Sequence, residues 1–539
     1  MNRFRAAISL APPGPAARLA DRLLARWLAL PPANGYRVAH RLALPRRDGG
    51  RLSAAWFEPD TAPPGTVLAL TPYGREEAAL ALPGGVLAGQ GLRVLVVRAR
   101  GTDGSGEPFT PFRHDADDLE DAYRWLRKIL GESHPVALFG ASYGGFAALA
   151  LAAQRPEEIA AAAVIAAPHD LYRALWGAGH FALEGWITWS DVAARLHEPW
   201  PLRLWHFATL PRRLARTLRR RTTPEEAARS LLGTRPNPCA EWSRRPAAAD
   251  PYWRPLRLGA LLRAVRCPTL VAGGLADPFA AQFLDQYRTL SGRRAAALTL
   301  GPWRHWQLLG RGAAPLARET VAWLAAHLAG AGAPRHAPVH LHVRGSNRPR
   351  WLTEWPPPAE VQTWYPRADG TLGDSPDAGW LRFTCDPRDP TPSAAPWLLA
   401  PGGKAGDEPL LGRADLLCFT SPPLTAPRLV AGRPRAVLHH GADRPGAVRV
   451  RLSAVDSRGR SRLLAEGYRA RRAGAARLTL PLDPLAVRLP AGTRLRLWVA
   501  GASFPRCIPP DGETPSEHRL ALPGCRLLLP VVAADSEKS

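Results

Sequence analysis

The sequence predicts an α/β protein with a largely parallel sheet, a helical insertion within it, and a C-terminal all-β domain of jelly-roll type. Three observations carry this. Six short apolar runs (GTVLALTP, LRVLVVRA, PVALFGAS, IAAAAVIAAP, CPTLVAGG and AAALTLGP) read as buried strands. Helical stretches such as DADDLEDAYRWLRKIL separate the earlier ones, as in a parallel sheet covered on both faces. Between about residues 167 and 256 the alternation gives way to Trp-rich helical segments, among them LPRRLARTLRRR and TPEEAARSLL. After GAPRHAP, the runs PVHLHVRG, GWLRFTC, AVRVRLSAVD, RLLAEGYRA, ARLTLPL and TRLRLWVAG alternate between Pro, Gly and Asp punctuation, the mark of a β-sandwich.

These shifts set the expected boundaries: a helical extension over 1–35, a sheet domain over 36–166 and 257–332, a helical cap over 167–256, and a jelly roll over 335–535. In the extension, PAARLADRLLARWLAL puts Leu19, Leu23, Trp27 and Leu30 at helical spacing. That stripe predicts a helix docked on the body; the alternative is a helix lying on a membrane surface. Next, YRVAHRLALPRRDGGRLSAAWFEPD forms two alternating runs around Asp48-Gly49-Gly50, a β-hairpin signal. In the cap, the Thr-Pro-Glu-Glu start has the acidic first turn a helix prefers, and the tryptophans read as cap core.

Composition narrows the function classes. A chain of 539 residues, 46% apolar and 22% charged, belongs to ordinary multidomain globular proteins. The net charge of +25 comes almost entirely from scattered Arg, with Lys only at 128, 404 and 538. No basic tract with interleaved aromatics and no nucleic-acid motif is present, so nucleic acid is not the expected partner. The six cysteines (239, 267, 385, 418, 507 and 525) lack Cys-x-x-Cys spacing, which points to buried thiols, with a Cys507–Cys525 bridge as the conceivable exception. No uncharged apolar run reaches membrane-spanning length, and prolines interrupt the basic N-terminus. The expected location is the cytoplasm. No metal or cofactor is called for, and a homodimer is compatible with the sequence.

The chemistry concentrates in Gly140-Ala141-Ser142-Tyr143-Gly144-Gly145, between an apolar strand and an Ala/Leu helix. A serine on a sharp strand-to-helix turn is held exposed while flanking glycines let strand and helix pass closely. A hydroxyl needs a base, a carboxylate to orient that base, and donors for the oxyanion that forms. In α/β-hydrolases the order is Ser, acid, His. Here LVAGGLAD ends a strand at Asp277, and LTLGPWRH ends the next at His305. Singly, Asp277 reads as a turn residue and His305 as a buried histidine; together, in order and each at a strand end, they read as a triad with Ser142.

The sequence resembles the cocaine esterase-like hydrolases, which share their architecture with Xaa-Pro dipeptidyl-peptidases and α-amino acid ester hydrolases. The matching residues run from Arg47-Asp48-Gly49 through Thr71-Pro72-Tyr73-Gly74, Arg100-Gly101-Thr102-Asp103-Gly104-Ser105-Gly106 and Gly140 to Phe146. They continue with Tyr252-Trp253-Arg254-Pro255, Gly273 to Phe279, Gly301-Pro302-Trp303-Arg304-His305, Phe419 to Leu424, and Ser503-Phe504-Pro505-Arg506. The resemblance implies an α/β-hydrolase domain, an inserted helical cap and a C-terminal jelly roll. It also implies an oxyanion hole made by the N–H of Tyr143 and the phenol of Tyr73. The chain departs from the family in having Arg98 where Asp is common, Ala276 where Tyr is common, and Cys507 directly after Ser-Phe-Pro-Arg.

The expected activity is hydrolysis of a small-molecule ester or amide through an acyl-enzyme on Ser142. The alternative is an Xaa-Pro dipeptidyl-peptidase, and a more distant one an idle carbohydrate- or partner-binding protein. A dipeptidyl-peptidase needs a buried carboxylate for the substrate's ammonium group. From Asp170 to Asp250 there are 13 Arg against 8 Asp plus Glu, with Glu184 and Asp191 as the candidates.

Overall fold

The computed structural model describes residues 8–73, 84–102, 107–196, 198–218, 223–235, 237–292, 296–332, 335–395, 397–402, 406–506 and 514–533. Cys507, Gly74 and residues 103–106 of the sequence motifs lie outside the described residues. The chain divides into two compact units, one of residues 1–171, 193–203 and 249–339, the other of 172–192, 204–248 and 340–539.

In the first unit, β1 (Tyr36–Pro45) and β2 (Arg51–Pro59) form the expected hairpin, in register from Tyr36 opposite Pro59 to Pro45 opposite Arg51. Asp48 closes its turn by accepting from the Gly50 N–H at 3.0 Å, and Gly49 takes φ +88°. Six fully or nearly fully buried strands come next: β3 (Thr66–Thr71), β4 (Arg93–Arg98), β5 (Val136–Ala141), β6 (Ala161–Ile165), β7 (Thr269–Gly274) and β8 (Ala296–Gly301). They are the six apolar runs of the sequence. The order is β1-β2-β4-β3-β5-β6-β7-β8, parallel from β4 onward, with β2 antiparallel to β4. The carboxyl ends of β5, β7 and β8 therefore open on one rim, where such sheets hold their reactive groups.

The helices of this unit include α1 (Pro15–Trp27), α2 (Gly84–Gly89), α3 (Asp115–Leu130) and α4 (Tyr143–Gln154). Helix α3 begins with Asp115, Asp117 and Asp118 and ends with Arg127 and Lys128, matching the helix dipole at both ends. Helix α1 forms as expected but docks by a different face. Ala25 and Leu28 are buried, Leu24 packs on the core, and Asp21 accepts from the Tyr36 hydroxyl. Leu19, Leu23 and Trp27, three of the four residues expected to make the contact, are 58%, 59% and 54% exposed.

The second unit pairs helices with two antiparallel sheets. The smaller sheet runs Leu416–Thr420, Arg494–Ala500, Gly446–Val455, Ser461–Arg471. The larger includes Glu360–Pro366, Arg526–Val532, Arg435–Ala442, Ser516–Ala521 and Trp380–Cys385. One apolar core joins their facing sides, with Val448, Val450, Leu497 and Val499 from the smaller and Leu438, Leu520, Leu527 and Leu529 from the larger. In the helical part, Thr223 and Glu226 form a reciprocal capping box. Trp186, Trp189 and Trp242 pack ring on ring at 5.2 to 6.1 Å and are buried, so these cap tryptophans are core. The five cysteines among the described residues, Cys525 included, are free thiols. No helix among the described residues is long and apolar enough to cross a membrane.

Candidate active site

Ser142 lies between the last residue of β5 and the first of α4, at φ 53° and ψ −114°. A non-glycine residue there is strained, and it persists because the surrounding backbone leaves no alternative. A Cβ on Gly140 would come within 2.5 Å of the Gly144 carbonyl, and one on Gly144 within 2.3 Å of the Leu70 carbonyl. Strand, turn and helix thus pass at distances only glycine permits. The Ser142 N–H donates to the Ile165 carbonyl at 2.7 Å, fixing the turn to the end of β6.

Asp277 and His305 arrive from the next two strands. The loops after β7 and β8 are tied together: Leu275 N–H donates to Gly301 O at 2.7 Å, and Ala276 N–H to Trp303 O at 3.2 Å. A Cβ on Gly274 would sit 1.9 Å from the Trp303 carbonyl, so the two loops meet at a position only glycine allows. His305 opens a short helical turn through Leu309 and stands 19% exposed, while the Asp277 side chain is fully buried.

The geometry joins the three groups. His305 Nε2 is 3.0 Å from Ser142 Oγ, and His305 Nδ1 is 2.7 Å from Asp277 Oδ2. The other oxygen, Oδ1, accepts from the Phe279 N–H at 2.8 Å. With Nδ1–H donated to the carboxylate, Nε2 carries a lone pair toward the serine hydroxyl. The Phe279 ring meets the imidazole edge-on at 5.5 Å and 88°, a second restraint on its plane.

Tyr143 is the first residue of α4, so its N–H is among those a helix leaves without an intrahelical partner. Its side chain is buried, stacked on Phe112 at 4.0 Å. The phenol oxygen accepts from the Phe112 N–H at 2.8 Å, near enough to the buried Asp115 carboxyl for each to affect the other's ionisation. Burial pushes Asp115 up to about 7 and raises the Tyr143 phenol, which the Asp115 charge raises further. Phe112 itself has φ 63°. None of this anchoring was read from the sequence, where Asp115 appears only as the first residue of the helical stretch DADDLEDAYRWLRKIL. Tyr73 is half-buried just beyond β3, whose Leu70 carbonyl lies over Gly144. Its N–H donates to Thr71 Oγ1 at 3.2 Å, and its carbonyl accepts from Arg203 at 3.2 Å.

Other motif residues are scaffolding. Arg100 pairs with Asp118 at 2.5 Å, and Arg47 with Asp121 at 2.7 Å, binding hairpin and loop to α3. Arg98 is buried and donates to His40 O and Ser53 Oγ at 3.1 and 2.9 Å.

In the second unit, both cap carboxylates already have cationic partners. Asp191 takes a two-pronged contact from Arg213 at 2.9 and 2.7 Å. Glu184 accepts from Leu398 N–H at 2.6 Å and pairs with Arg506 at 3.5 Å. Burial pushes the Glu184 carboxyl up, and Arg506 opposes that rise.

Comparison with known proteins agrees with this architecture. Residues 48–307 match the model of the X-Pro dipeptidyl-peptidase (S15) family, and residues 331–524 that of the X-Pro dipeptidyl-peptidase C-terminal non-catalytic domain. A cocaine esterase from Rhodococcus sp. (strain MB1 Bresler) is 27% identical over 441 residues, covering 74% of this chain and 76% of its own. Among solved structures, an aminopeptidase from a marine sediment Thaumarchaeota archaeon superposes with TM-score 0.75 at 19% identity, covering 92% of this chain and 96% of its own. An α-amino acid ester hydrolase superposes with TM-score 0.73 at 18% identity, covering 93% and 97%. Those two likenesses are of fold. With both family models matched in order along one chain, and a cocaine esterase among its relatives, this protein belongs to the cocaine esterase-like serine hydrolases allied to the S15 X-Pro dipeptidyl-peptidases.

Proposed function

We propose that this protein hydrolyses carboxylic esters of small molecules, with Ser142 as nucleophile, His305 as general base and then acid, and Asp277 as the group that orients the imidazole and stabilises its charged form. The observation that carries this is the 3.0 Å approach of His305 Nε2 to Ser142 Oγ with Asp277 at 2.7 Å behind it. His305 Nε2 takes the serine proton as Oγ attacks the carbonyl carbon. In this reading the resulting oxyanion accepts from the Tyr143 N–H and from the Tyr73 phenol, the two donors the family resemblance implies. Collapse of the tetrahedral intermediate expels the alcohol, which leaves with the proton held on His305. Water then attacks the acyl-enzyme, giving its proton to the same nitrogen, and Ser142 is regenerated.

An ester is favoured over an Xaa-Pro peptide by the state of the cap carboxylates. Neither Glu184 nor Asp191 is free to receive a substrate ammonium group without losing an arginine partner. The S15 match keeps the peptide reading as a second outcome of the same experiment. Rates on a p-nitrophenyl acyl ester and a Gly-Pro anilide are compared for wild type and Ser142→Ala. Ester turnover that falls at least about 10⁴-fold in the variant, with no anilide turnover, is the expected result. Faster anilide cleavage makes the protein a dipeptidyl-peptidase, and unchanged esterase activity in Ser142→Ala removes the mechanism.

A further inference from the structure

We infer that the outward face of α1 is a docking surface for an anionic lipid membrane. The helix rests on the body through Asp21, Leu24, Ala25 and Leu28, and this inward face is complete: buried apolar groups plus an Asp21 carboxylate engaged by the Tyr36 hydroxyl. The outward face repeats every four residues in two parallel rows. Leu19, Leu23 and Trp27 form one, each more than half exposed. Arg18, Arg22 and Arg26 form the other, all exposed and without an ion-pair partner among the described residues.

The pairing of rows selects the occupant. Exposed apolar groups at a stride of four, flanked by arginines and ended by a tryptophan, can lie in the plane of a bilayer. There the leucines enter the acyl boundary, the indole sits at headgroup level, and the guanidinium groups meet lipid phosphates. A second copy of this chain is a poor occupant. Mating two such faces would line one apolar seam with the arginine rows of both copies, and the one acid on the helix, Asp21, is turned inward and engaged. The charge of the whole chain, +25, adds like-charge repulsion to self-association and attraction to an anionic surface.

The anchorage suits such a role. Just before the helix, Ala11 and Val38 exchange backbone hydrogen bonds at 3.1 and 2.8 Å, so α1 is held on the body at both ends. A lipid surface meeting this face therefore meets the folded enzyme rather than a loose tail.

The test is co-sedimentation of the full chain with vesicles of mixed phosphatidylglycerol and phosphatidylcholine, and with vesicles of phosphatidylcholine alone. The wild type should pellet with the anionic vesicles and far less with the zwitterionic ones. Leu19→Ser, Leu23→Ser, Trp27→Ser keeps every charge and should lower the apparent partition coefficient about tenfold or more, with p-nitrophenyl ester turnover in solution unchanged. Trp27→Ser alone, the milder change, should fall in between. Arg18→Gln, Arg22→Gln, Arg26→Gln should lose the preference for phosphatidylglycerol. Undiminished binding by the triple serine variant would overturn the inference, because general positive charge then suffices. So would absence of vesicle binding by the wild type, or a concentration-dependent dimer that the same variant abolishes.

Discussion

Replacing Asp277 by Asn tests whether the carboxylate works through the histidine tautomer. Its two oxygens accept from two different donors, Oδ1 from the Phe279 N–H at 2.8 Å and Oδ2 from His305 Nδ1 at 2.7 Å. An asparagine keeps shape and volume but has one oxygen. The Phe279 N–H belongs to the main chain and cannot turn away, so the oxygen stays there and the amide NH₂ faces Nδ1. That nitrogen must then accept, which moves the ring proton to Nε2, now pointing as a donor at Ser142 Oγ 3.0 Å away. The ring is held in place but can no longer take the serine proton. Loss of the base through tautomer reversal costs about 10⁴-fold in kcat, equivalent to about 5.5 kcal/mol of barrier. The assay is steady-state hydrolysis of a p-nitrophenyl ester, with thermal unfolding as the control for folding. A folded Asp277→Asn enzyme within about tenfold of wild type, far short of the loss tautomer reversal predicts, would refute the reasoning.

The remaining predictions touch the supports. Gly274→Ala drives a Cβ to 1.9 Å from the Trp303 carbonyl; it should cost about 2–3 kcal/mol of stability and about 10²-fold in kcat by shifting Asp277 against His305, read by thermal unfolding and ester kinetics. The Asp115 carboxyl, raised to about 7 by burial from the ordinary 3.8, leaves the folded state holding a proton the unfolded chain has lost. Stability should therefore fall as pH rises between these values, by at most about 1.4 kcal/mol per pH unit, and Asp115→Asn should flatten that dependence in urea unfolding. In the β-rich unit the sign is opposite. Arg471 donates to His440 Nδ1, His440 Nε2 lies 3.0 Å from His518 Nδ1, and His518 Nε2 lies 2.9 Å from Ser516 Oγ, a relay that needs both rings neutral. Burial lowers His440 to about 3 and His518 to about 4, so the unfolded chain takes up protons first and stability drops as pH falls below 6.5. His440→Leu with His518→Leu, removing both partners together, should shallow that acid limb.

The sheet and the candidate site were legible because each signal was local and redundant. The strands of the parallel sheet are predominantly apolar runs; Ser142 follows one directly, and Asp277 and His305 come three and four residues after theirs. What the sequence concealed is which side of an amphipathic element faces the protein. Leu19, Leu23 and Trp27 define a stripe, but the period carries no sign, and the inward contact fell instead to Ala25, Leu28 and Asp21. The same ambiguity hid the polar interior of the C-terminal domain. In AVRVRLSAVD the alternation suggests solvated arginines, yet Arg449 and Arg451 are 2% and 0% exposed. Arg451 is held by Asp407 at 2.9 Å and the Ala394 carbonyl at 2.7 Å, and Arg449 by the Pro392 carbonyl at 3.0 Å and Glu466 at 3.2 Å. Their partners lie 17 to 57 residues away, beyond the reach of any periodicity. Pro211 inside the helix Trp200–Thr217 shows tertiary context overriding propensity in the same way.

Ser142 joins these two levels. Its backbone strain, of order 1–3 kcal/mol for such a conformation, needs a counterweight within the fold. The residue after it supplies one. The Tyr143 ring is buried, stacked on Phe112, and its phenol accepts from the Phe112 N–H. Relaxing Ser142 toward ordinary helical geometry would rotate the peptide that carries Tyr143 and pull that phenol from the Phe112 N–H and the ring from its stack. The anchoring side chain points into the core while the N–H of the same residue stands at the free end of α4. One residue therefore fixes the turn that carries Ser142 and, in the proposed mechanism, presents the first oxyanion donor. This explains why a large aromatic, rather than a small residue, can follow the serine in so crowded a turn.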